Sequence, residues 1–124
     1  KLQKNKKTSI LVISGLTALI AMLIDVVLDP AAVYLGFWEW RGPGFYYGVP
    51  LINFLGWLLS GFIGTLILHS LWGAKKVPRE LSYSGLLIIW FWTIGNIFML
   101  QIVPVVVGFA LMYIFFRKIQ SEHV

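Results

Sequence analysis

Two aspartates four residues apart, Asp25 and Asp29, lie at the far end of the first apolar stretch of this chain, and Asn53 lies near the start of the next. Carboxyl groups are costly in or beside hydrocarbon, so an acidic pair there reads first as a chemical site whose partner has to be found. Residues four apart on a helix stand one above the other, which lets the two carboxyls approach. Such a pair rarely ionises twice. The expectation is one carboxylate beside one neutral carboxylic acid that can donate a proton near neutral pH. The competing account is structural, since Pro30 is expected to end the helix and an aspartate just before it can bond local backbone in a turn.

Aromatic side chains gather around the pair. The segment 31–48 holds Tyr34, Trp38, Glu39, Trp40, Arg41, Tyr46 and Tyr47, and Trp57 follows Asn53 by four residues. Trp and Tyr favour membrane interfaces, and for Trp38 or Tyr34 alone an interfacial belt is the simpler account. Arg41 is expected to pair with Glu39. His69 lies far from the acidic pair and His123 is in the tail, and with no cysteine in the chain a transition-metal site is not expected. A magnesium ion on Asp25 and Asp29 would want an anionic substrate to complete its shell.

The elements that must position these residues follow from composition. Of 124 residues, 59% are hydrophobic and only 12% charged, with a mean hydropathy of +0.84, which places the chain outside the soluble range. The expected fold is an all-α polytopic bundle in the cell membrane, a single membrane domain over 1–124 with spans near 8–28, 49–72, 83–99 and 102–117. The last two come from one uncharged run, Tyr83 to Phe116. As a single helix that run would be roughly 50 Å long against about 30 Å of hydrocarbon, so it should reverse, with Gln101 at the break and Pro104 in the first turn of the next helix. A kinked or re-entrant fourth segment is the alternative.

Basic residues orient the spans. Lys1, Lys4, Lys6, Lys7, Lys75, Lys76, Arg79, Arg117 and Lys118 fall on one side of a four-span chain and Arg41 alone on the other, which predicts both ends in the cytoplasm. The same scatter among loops explains the net charge of +5 without a basic face for nucleic acid. No cleavage site follows the first span, so it reads as a retained helix. Small and polar residues recur at helical spacing as Ser14, Ala18, Ala21 and Asp25, then Asn53, Gly56, Ser60 and Gly64, then Gly85, Ile89, Thr93 and Asn96. Such stripes are ordinary packing faces, but this topology also brings Asp25, Asp29, Asn53, Asn96 and Gln101 to one membrane side.

The ordered string Asp25-x-x-Leu28-Asp29-Pro30, Gly36-Phe37-Trp38-x-Trp40 and Tyr46-Tyr47-Gly48-Val49-Pro50-x-x-Asn53-Phe54-x-Gly56-Trp57 resembles the carotenoid hydratase family of carotenoid biosynthesis. Members of that family are longer polytopic proteins, so this chain is similar to the C-terminal half of one, with further helices or an oligomer to complete it. The resemblance implies a lyase of the hydro-lyase type, adding water to a terminal isoprenoid double bond of a linear carotenoid to give a tertiary alcohol. Asp25, Asp29 and Asn53 suit the acid, base and water-holding roles. Trp38, Trp40, Tyr46, Tyr47, Trp57 and Asn96 suit the substrate, with electron-rich rings facing a tertiary cation. The partners are then a linear carotenoid, water and the bilayer, with no metal or other cofactor required. Two other classes compete: a small proton-coupled transporter, which would want its acid near mid-membrane and less charge asymmetry, and a non-catalytic carotenoid-binding subunit.

Overall fold

The computed structural model describes residues 2–72 and 79–121. Four helices follow one another, α1 Leu2–Tyr34, α2 Leu51–Trp72, α3 Arg79–Phe98 and α4 Ile102–Ser121. Among the described residues there is no strand, only a single bridge between Tyr46 and Val49. The stretches Ser9–Tyr34, Leu51–Leu71, Glu80–Phe98 and Ile102–Gln120 are each long and apolar enough to cross a membrane. The protein is thus an all-helical bundle of membrane-spanning type. Of the basic residues that orient it, Lys1, Lys75 and Lys76 lie outside the described residues, as do His123 and the side chains of Lys4, Lys6, Lys7 and Arg79.

The first helix does not stop where Pro30 was expected to stop it, but continues to Tyr34. Proline has no N–H to give the carbonyl four residues back, here that of Val26. That carbonyl instead accepts the Tyr46 hydroxyl at 3.0 Å. One residue on, the Val27 carbonyl accepts Asn96 Nδ2 at 2.8 Å, and the Pro30 carbonyl accepts Gln101 Nε2 at 3.3 Å. Side chains from the α1–α2 loop, α3 and the α3–α4 turn therefore support the proline turn. The helix ends at Gly36, whose φ of 72° lets Gly36 N bond Val33 O and Phe37 N bond Ala32 O in a Schellman cap.

The same cap reverses the chain between α3 and α4. Leu100 takes the left-handed position with φ 58°, Leu100 N bonds Ile97 O at 3.1 Å and Gln101 N bonds Asn96 O at 3.0 Å. Leucine is an unusual residue for that conformation, which costs a non-glycine residue about 1–2 kcal/mol. Pro104 then sits in the first turn of α4, where its missing N–H is not needed. Helix α3 begins before the expected 83 and ends one residue short of the expected 99, and α4 starts at the expected 102 and runs past 117 to Ser121. Glu80 lies in the first turn of α3 and Lys118 in the last turn of α4, each the sign that the helix dipole favours.

Helix α1 is the hub. It packs on α2, α3 and α4, α3 packs on α4, and among the described residues α2 rests on α1 alone. A core of Val27, Ile89 and Leu111 joins α1, α3 and α4. Ser14, Ala18 and Asp25 of the first small-residue stripe are buried, as are Ile89, Thr93 and Asn96 of the third. The α2 stripe needs correction. A Cβ added at Gly56 or Gly64 would meet nothing within 4 Å, whereas one at Gly61 would lie 3.0 Å from Ala18 Cα, so Gly61 is the point of close contact with α1. Stepping back by four from Gly61 reaches Trp57 and Asn53, which places Asn53 on the face that meets α1.

Candidate functional site

Asp25 and Asp29 come from adjacent turns of α1, and both are buried, each only 3% exposed. Asn53, in the first turn of α2, reaches across to them. Its Nδ2 donates to Asp25 Oδ2 and to Asp29 Oδ2, both at 2.6 Å. A single amide group thus uses both of its hydrogens to hold two carboxyls together.

Above the pair lies a cavity of about 410 Å³ walled by Asp25, Leu28, Asp29, Asn53 and the indoles of Trp38, Trp40 and Trp57, with Glu39 also on its wall. That volume is within the range that holds a small organic ligand. The Trp40 indole nitrogen is buried and has no hydrogen-bond partner. Within this constellation two groups escaped the sequence reading as site residues. Leu28 is an apolar residue between the aspartates. Glu39 read as a partner of Arg41, yet no ion pair joins the two; the signal that was available is its place between Trp38 and Trp40 in the Gly36–Trp40 motif.

The remaining expected site residues are placed elsewhere. Tyr46 and Tyr47 lie in a tight turn closed by reciprocal bonds, Val49 N to Tyr46 O at 2.8 Å and Tyr46 N to Val49 O at 3.0 Å. Both central residues have positive φ, 47° at Tyr47 and 86° at Gly48, the pattern of a type I′ turn. The Tyr46 ring meets Tyr47 and Phe54 edge-on at 4.9 and 5.6 Å, and its hydroxyl is committed to Val26 O. Burial, and then the adjacent Tyr47, pushes the Tyr46 phenol further above its ordinary range, so it remains a donor. The Tyr47 hydroxyl accepts a long bond of 3.5 Å from Val103 N at the start of α4. Asn96 is fully buried between α1 and α3, with Nδ2 donating to Val27 O and Trp92 O at 2.8 and 2.7 Å. These three residues hold the frame around the acidic pair; the cavity wall is formed by others. Among the described residues no group of three or more His, Cys, Asp or Glu side chains is arranged to hold a metal ion.

The chain belongs to the carotenoid biosynthesis protein family, which matches residues 1–115. It is similar to bisanhydrobacterioruberin hydratase of Haloarcula japonica, with 56% identity over 46 residues, a stretch that makes up 37% of this chain and 15% of that protein. The matching stretch is therefore a small part of that relative. No solved structure matches this chain.

Proposed function

We propose that the cavity over Asp25 and Asp29 hydrates a terminal isoprenoid double bond of a linear carotenoid. The observation that carries this reading is the Asn53 amide bonded to both carboxyls at 2.6 Å beneath an indole-walled cavity. In the reaction, one aspartic acid transfers its proton to the less substituted alkene carbon, and the π pair becomes the new C–H bond. The tertiary cation left on the neighbouring carbon faces the electron-rich indoles of Trp40 and Trp57. A water oxygen then bonds to that carbon, and the proton it sheds passes to the second carboxylate. The sum is alkene plus water to tertiary alcohol, with the acidic pair holding one proton before and after.

Asn53 keeps the two carboxyls within reach of one another through the cycle. The unpartnered Trp40 N–H is a donor available to the attacking water or to the product hydroxyl. Membership of the carotenoid biosynthesis family and the likeness to a protein named as a hydratase support this chemistry. The positions of the basic residues support a membrane orientation with both ends in the cytoplasm.

The test is pigment chromatography with mass detection. The full native protein that carries this sequence is expressed in a host that accumulates linear carotenoids with unsaturated ends, beside its Asp25→Asn and Asp29→Asn variants. The expected result is a pigment heavier by one water with the native protein, absent with each variant that still inserts in the membrane. Unchanged pigment with well-expressed native protein overturns the reading.

A further inference from the structure

A cavity of about 410 Å³ takes an isoprenoid end group but not the length of a linear carotenoid, so the rest of the chain has to leave it. Among the described residues the surface offers a continuous way out. A second groove of about 440 Å³ shares Trp40, Asn53 and Trp57 with the acidic cavity and continues over Ile52, Gly56 and Ser60. It runs along the flank of α2 beside the face that meets α1, within the membrane-spanning stretch Leu51–Leu71. A side chain at Gly56 would project into open space, since nothing lies within 4 Å of its Cβ position. Ser60, one turn further, is exposed and its hydroxyl is bonded back to Trp57 O at 3.4 Å, leaving a low floor.

We infer that this groove is the substrate track: the polyene lies along the Gly56–Ser60 face of α2, between helix and lipid, while its end group crosses Trp40 and Trp57 to reach the aspartates. The inference rests on the proposed hydration and adds to it the residue, Gly56, that keeps the track open to a long chain. Gly56 is the position where the track is shallowest to build on. A leucine there fills the groove, removes no contact within the protein and replaces glycine with a better helix former.

Two measurements on the full native protein in lipid nanodiscs test this. The first compares conversion of a linear carotenoid with that of a monoterpene-length isoprenoid carrying the same end group, in the native protein and in Gly56→Leu. Filling an apolar binding site is expected to reduce conversion of the long substrate by about tenfold or more relative to conversion of the short one. The second measures quenching of tryptophan fluorescence by added polyene in a background that keeps of its tryptophans only Trp38, Trp40 and Trp57, which reads occupancy of the cavity and track without turnover. Quenching is expected in the native protein and should weaken in Gly56→Leu. Equal long-substrate conversion in both proteins, equal quenching in both, or loss of both substrates together in a folded variant overturns the track. A native protein that converts neither substrate, yet is quenched in a Gly56-dependent way, overturns hydration and keeps the track as a polyene-binding groove.

Discussion

The acidic pair depends on Asn53 for more than proximity. Two buried carboxyls need donors if they are not to separate or be left unsatisfied, and Asn53 Nδ2 donates to both of them, each at 2.6 Å. Replacing Asn53 with leucine, which keeps the volume and removes the donors, is expected to cost about 1–3 kcal/mol of stability, the usual penalty of an unsatisfied buried group. The same variant is expected to lose about 100-fold or more in hydration rate, the scale of a misplaced catalytic acid. Thermal unfolding in micelles checks the first and pigment analysis the second. Native stability in Asn53→Leu would mean that the carboxyls find another donor. Glu39 was legible in sequence only as a partner for Arg41, because its place on the cavity wall depends on how the loop after Gly36 folds.

The passage of α1 through Pro30 is the feature of the elements that sequence rules misjudged. Proline normally ends or kinks a helix by leaving a carbonyl without its partner. Here that carbonyl is taken by Tyr46, twenty residues further along the chain, and its neighbours by Asn96 and Gln101, about seventy residues away. No local pattern encodes partners at such separations. The arrangement makes a cycle of variants informative. Tyr46→Phe is expected to destabilise the protein by about 1–3 kcal/mol because Val26 O is left without a donor. In a Pro30→Ala background residue 30 regains its N–H and satisfies that carbonyl, so the cost of Tyr46→Phe should shrink by about 1 kcal/mol or more. Denaturant unfolding of the four proteins measures the coupling, and strictly additive effects would refute the link between Pro30 and Tyr46. Gly48 belongs to the same device. Its φ of 86° and a Val33 methyl 3.0 Å from its Cβ position leave no room for a side chain in the turn that presents Tyr46.

At the scale of the molecule, two close helix contacts set the geometry. Gly61 lets α2 approach Ala18 of α1, and that approach brings Asn53 over the aspartates two turns away. A Gly61→Leu variant touches no site residue, yet it is expected to push α2 outward and reduce hydration by about 100-fold through misplacement of Asn53. Circular dichroism should show the helices retained; a native rate in Gly61→Leu would show that the pair does not need α2 in register. Between α3 and α4, a Cβ at Gly108 would fall 2.0 Å from Thr93 Oγ1, which is itself fixed by a 2.6 Å bond to Ile89 O. Gly108→Ala is therefore expected to cost about 1–3 kcal/mol as an overpacked contact, read as a lower melting temperature.

Composition and spacing alone were enough to define a membrane bundle of four helices, a reversal around Gln101, and an acidic pair one turn apart with aromatics nearby. Those properties are local: hydropathy acts residue by residue, and the pitch of a helix decides which neighbours share a face. Tertiary structure decided the rest. It turned Gly61 rather than Gly56 toward α1, put Asn53 between the carboxyls, set Glu39 on the cavity wall, and diverted Tyr46, Tyr47 and Asn96 from the cavity to the frame that holds it. In a chain this apolar every face of a helix is hydrophobic enough to meet lipid, so hydropathy does not say which face meets protein. Steric fit and the need to satisfy buried polar groups make that choice, and both depend on residues distant in sequence.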